Sequence, residues 1–69
     1  MTAQMIYTQQ DEERAYQDMV IAADLVEVAV MERMPKHVIE KRTEDMHRAM
    51  RNWERVSEML LEQVEMAVA

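Results

Sequence analysis

Val30-Met31-Glu32-Arg33-Met34-Pro35-Lys36-His37 holds the only proline of a 69-residue chain that has no glycine and no cysteine. What the backbone does at Pro35 decides the fold. The residue before a proline is pushed out of the helical region, and proline itself suits the first turn of a helix, where its missing N–H costs nothing. On both sides lie long runs of good helix formers, chiefly Glu, Gln, Met, Ala, Leu, Arg and Lys. Upstream, Thr8-Gln9-Gln10-Asp11 has the form of a helix start, a Thr cap followed by Asp11, Glu12 and Glu13 in the first turn. The pattern predicts an all-α protein, a two-helix antiparallel hairpin over residues 8–69, with helix 1 about 9–33, a turn at 34–35 and helix 2 about 35–67. Residues 1–7 read as a flexible N-terminal tail, in which Met5, Ile6 and Tyr7 have the option of folding back. The competing reading is one long helix kinked at proline. It draws on the absence of Gly, Asn or Ser from the turn, where helix C-caps favour them.

Working outward, the second helix carries a stripe at alternating spacing of four and three: Ile39, Thr43, Met46, Met50, Trp53, Ser57, Leu60, Val64, Ala67. Such spacing marks a coiled-coil or bundle seam. The first helix is apolar over a wider arc, since between Met19 and Met31 only Asp24 and Glu27 are polar. The β-branched cluster Val20, Ile21, Val26, Val28 and Val30 raises a strand alternative. A strand of that length, with no turn residues and no second strand to pair with, is disfavoured. One hairpin partner cannot cover so broad an arc. The expected solution is a homodimer that closes a four-helix bundle with the first helix central. Its interface is expected at Met19, Val26, Val30, Met46, Met50, Trp53 and Leu60, with Tyr16 at the edge of the arc.

Composition excludes several chemistries. Without glycine there is no phosphate-binding loop, dinucleotide fingerprint or nucleophile elbow. Without cysteine there is no disulfide framework, thiolate nucleophile or zinc finger. Ser57 has no histidine at helical spacing, and His37 and His47 are ten residues apart, so no catalytic or cofactor-binding residues are expected. The net charge of −6 argues against general attraction to nucleic acid or anionic membranes. No apolar run approaches the ~20 residues of a membrane span. Residues 1–7 lack the basic start and apolar core of a secretory signal, so a cytoplasmic location is expected.

Three constellations remain. Met59 and Met66 sit seven apart on the otherwise polar side of the second helix, flanked by Glu58 and Glu62. Methionine repacks without strain and is common at adaptable surfaces, so these four residues are the expected contact with a larger protein partner. Lys41, Arg48, Arg51 and Arg55 form a basic stripe in a region, 35–55, that holds six bases against four acids. They would serve a small nucleic-acid-binding bundle. Glu27 with Glu44 and His47 has the Glu-x-x-His spacing of di-metal carboxylate bundles, but Glu44 and His47 fall outside the seam, which points to a solvated face and no metal site. The first expectation is a small acidic, non-enzymatic interaction module, an inhibitor, adaptor or chaperone-like cap acting on a larger protein. The nucleic-acid bundle is the alternative and the di-metal bundle ranks third.

Overall fold

The structure is a computed structural model that describes residues 7–68. Two helices, α1 (Gln9–Met31) and α2 (Lys36–Val68), lie antiparallel against each other. The hairpin measures 51 × 21 × 15 Å, and its long axis is the length of α2. Met1–Ile6, most of the tail assigned from sequence, lie outside the described residues. Tyr7 is described, and its backbone is held by α2. Its N–H donates to Gln63 Oε1 at 2.8 Å, and Gln63 Nε2 donates back to the Tyr7 carbonyl at 2.7 Å.

Both ends of α1 are closed by recognisable devices. The Asp11 N–H donates to Thr8 Oγ1 at 3.1 Å and the Thr8 N–H donates to Asp11 Oδ2 at 2.9 Å, a reciprocal capping box. At the other end Arg33 adopts φ 54°, the left-handed conformation. The Met34 N–H reaches back to the Ala29 carbonyl at 2.9 Å and the Arg33 N–H to the Val30 carbonyl at 3.1 Å. This is a Schellman cap, with arginine where glycine is usual. The turn thus ends α1 two residues earlier than expected from sequence and needs no Gly, Asn or Ser. Pro35 caps α2 from just outside it, its carbonyl accepting from the Val38 and Ile39 N–H groups at 3.0 and 3.2 Å.

The helices meet along a seam that is not the most apolar stripe of α2. On α1 the inward positions are Ala15, Met19, Ala22, Val26 and Ala29, again at four–three spacing. The alanines recur every seven residues, and a methyl group there admits the neighbouring helix close to the backbone. On α2 the inward positions are Val38, Arg42, Asp45, Ala49, Asn52, Val56 and Gln63, all buried or half-buried. Among the described residues only Ala15 (3% exposed), Ala29 (0%) and Val56 (5%) count as a fully buried core. Ile39, Met46, Met50 and Trp53 each follow an inward position by one residue and so stand about 100° around the helix from it. Met50 is exposed, while Ile39, Met46 and Trp53 are half-buried like the positions beside them, so the seam runs between the two rows and leaves each open on its outer edge.

The shape has a cost in exposed surface. The radius of gyration is 15.9 Å, against roughly 11 Å for a compact chain of this length. The accessible surface is 5986 Å², against roughly 4,500 Å² for a compact monomer of this mass.

Two substitutions test these local arguments by urea denaturation. Arg33→Gly removes the steric penalty of the left-handed cap and should stabilise the fold by on the order of 1 kcal/mol. Ala29→Leu forces a larger side chain into the closest part of the seam and should destabilise by about 1–3 kcal/mol.

Candidate functional site: two faces of one hairpin

The hairpin has two dissimilar sides, and two observations place residues on them. The Tyr16 and Trp53 rings meet edge to face across the helices, centroids 6.0 Å apart and planes at 60°. These rings mark the apolar flank. Around them stand Val20, Ala23 and Val30 from α1, and Ile39, Met46, Met50, Ser57, Leu61 and Val64 from α2. Met50 is 38% exposed and Val64 52%, with Ile39, Met46 and Trp53 half-buried. Ser57 donates to Glu12 Oε2 at 3.4 Å on this side.

The opposite side is an open polar groove. Its main section, about 690 Å³, is lined by Asp18, Asp45, Arg48, Ala49, Arg51, Asn52 and Arg55. A second section of about 290 Å³ shares Asp18 and Asn52 and continues to Tyr7, Asp11 and Arg14. Three of the four bases singled out from sequence are therefore brought together here, Arg48, Arg51 and Arg55. Lys41 stands one turn beyond Asp45 and donates to Asp45 Oδ1 at 2.7 Å. Arg48 lies 3.6 Å from the same oxygen, and Arg55 donates to Asn52 Oδ1 at 2.9 Å. Among the described residues Arg51 makes no ion pair or side-chain hydrogen bond. Arg14, in the second section of the groove, likewise has no ion pair or side-chain hydrogen bond among the described residues.

The polar groups along the helix contact are satisfied. Arg42 reaches across to the Leu25 carbonyl at 3.0 Å, and Thr43 bonds back to the Ile39 carbonyl at 2.8 Å. The hydrogen bond from Lys41 chiefly holds the Asp45 carboxyl below the usual carboxylate range. The charges of Lys41 and Arg48 add to it, against partial desolvation.

The interaction residues expected from sequence fall on both sides. Met59 and Met66 lie in line with Arg48 and Arg55 on the groove side, and Met66 is 80% exposed. Glu58 and Glu62 are exposed beside them. Of the expected dimer-interface set, Met46, Met50 and Trp53 stand on the apolar flank of α2, and exposed Val30 on that of α1. Met19 and Val26 belong to the seam inside the hairpin and Leu60 is half-buried at its edge. Trp53 is half-buried against Tyr16. Glu27, Glu44 and His47 are exposed and do not converge, and no group of three metal-ligating side chains occurs among the described residues. Sequence reasoning also missed a short apolar strip on the outward side of α1, Ile21, Leu25 and Val28, whose four–three spacing was hidden inside the broad arc. No described helix is long and apolar enough to cross a membrane.

Together these features define a small helical hairpin with one apolar flank and one arginine-lined groove. No known protein family, curated protein or solved structure matches the chain. Its faces have to be read from their own geometry and charge.

The electrostatics of the groove can be measured. A carboxyl whose folded-state pKa is lowered contributes stability above its unfolded value and loses it as pH falls through the folded value. In an NMR titration Asp45 should titrate below the ordinary aspartate value, and Lys41→Met should move it back up. The accompanying change in stability should be slight, as for exposed ion pairs generally.

Proposed function

We propose that this chain is a non-enzymatic, cytoplasmic protein-interaction module that pairs with itself through the apolar flank and meets a larger protein with its outer side. The observation that carries the reading is the rotation of α2. Its most regular apolar stripe, Ile39 to Val64, is only half-buried at the edge of the hairpin contact, with Met50 and Val64 exposed, on the side of Tyr16, which meets Trp53. Two such flanks, laid together, close a four-helix bundle of ordinary construction. The pairing leaves uncovered Met59, Met66, Glu58 and Glu62 on α2 and the Ile21–Leu25–Val28 strip on α1. Methionine and short aliphatic strips suit an adaptable contact with a partner protein. An inhibitor, adaptor or cap works by occupying such a surface. Binding is favoured over catalysis because Ser57 is engaged with Glu12 while both His37 and His47 are solvent-facing on other parts of α2.

Light scattering after gel filtration should give about twice the 8.2 kDa chain mass over a hundredfold range of concentration. The double variant Met50→Lys with Val64→Lys should run as a monomer. A wild-type mass of one chain throughout would end the pairing. Met59→Lys with Met66→Lys should keep the dimer mass yet lose the protein captured by the wild type in a pull-down. Unchanged capture would remove the outer contact from consideration.

A second reading has a specific observation behind it, the convergence of Arg48, Arg51 and Arg55 on one groove. These arginines would contact phosphates, with affinity falling steeply as salt rises. Asp18 and Asp45 in the same lining, and the charge of −6, weigh against it. Salt-dependent retention of RNA or DNA, abolished by Arg48→Glu with Arg55→Glu, would establish this reading. No retention at low salt would dismiss it.

A further inference from the structure

The apolar flank admits a second copy in two orientations, and the distribution of charge along the hairpin chooses between them. Cut at the level of the Tyr16–Trp53 contact, the open half consists of residues 7–16 and 53–68. It carries seven acids, Asp11, Glu12, Glu13, Glu54, Glu58, Glu62 and Glu65, against two bases, Arg14 and Arg55. The turn half, residues 17–52, carries seven acids against six bases. A net −5 therefore sits at the open end and −1 at the turn end, where Arg33, Lys36, Lys41 and Arg42 are concentrated.

Resting on the proposed self-pairing, we propose that two copies join flank to flank with their turn ends opposed, so that α1 lies against α1 and α2 against α2 of the other copy. The parallel arrangement would stack two −5 ends side by side. The facing acidic helix ends would then lie about one interhelical spacing, roughly 8–10 Å, apart, a distance comparable to the Debye length at physiological salt. The opposed arrangement sets each acidic end along the base-bearing turn half of its neighbour. The flank runs along most of the hairpin, with Tyr16, Val20 and Val30 of α1 and Met50, Leu61 and Val64 of α2 all exposed.

The absence of cysteine allows single spin labels to be placed without background. His37→Cys marks the turn end and Met66→Cys the open end, both exposed and off the apolar flank. With α2 spanning most of the 51 Å length, opposed copies should place like labels about 45 Å or more apart. A mixture of the two labelled chains should give cross-distances of about 30 Å or less, set by the width of a four-helix bundle. Like labels at about 30 Å, with long cross-distances, would show parallel copies and overturn this proposal while leaving self-pairing intact. No dipolar coupling together with a one-chain mass would overturn self-pairing itself. The cause is tested separately. Glu58→Lys with Glu62→Lys brings the open end to −1, equal to the turn end, and should populate both orientations, whereas a variant that remains wholly opposed would overturn charge as the selector.

Discussion

The approach of α1 to α2 along Ala15, Ala22 and Ala29 fixes how far each helix is rotated about its own axis, and the remaining surfaces follow from that rotation. Small side chains at seven-residue intervals make a shallow track on α1. The face of α2 that lies on it is mixed, with Val38, Ala49 and Val56 interrupted by Arg42, Asp45, Asn52 and Gln63. Each of those polar groups has a partner within the hairpin, among them the Leu25 carbonyl, Lys41, Arg55 and Tyr7. Such a polar inner face costs little, because among the described residues no buried side-chain donor or acceptor is left without a partner. It leaves the regular apolar stripe of α2 to one side, next to the part of α1 that carries Tyr16 and Val20.

The same rotation sorts the charges. Arg48, Arg51 and Arg55 turn to the groove side, away from Trp53 and Met50. Asp45 is the organising acid there, shared between Lys41 and Arg48. The hairpin is thereby amphipathic as a unit and not only helix by helix. It behaves as a two-sided plate about 15 Å thick. One side asks for apolar company, and the other tolerates water.

Much of this architecture could be read from residues alone. Thr8 with Asp11 marked the start of α1, and Pro35 marked the break, because caps and proline act through local backbone chemistry. The cap at Arg33 was not legible. Arginine has no intrinsic preference for positive φ, and it adopts it here because the chain must reverse before Pro35. Periodicity located the stripe Ile39 to Val64 but could not say which neighbour it faces, since a stripe reports amphipathicity and not its partner. Arg42, Asp45 and Asn52 would be assigned to solvent by pattern. They line the helix contact because alanine on α1 leaves room and their partners lie within reach. Met19 and Val26 were drawn inward by the same track. The basic residues were legible as a spacing, but their convergence with Asp18 required the register of the two helices.

A core of three small side chains has a further consequence, one of lifetime. A hairpin whose fully buried interior, among the described residues, is two alanines and a valine should open at little expense and expose its backbone to proteases when it does. Any association that covers the apolar flank closes those openings in proportion to occupancy. The level of such a chain in a cell would then track the supply of whatever covers it, with surplus copies cleared by degradation and no dedicated regulator required.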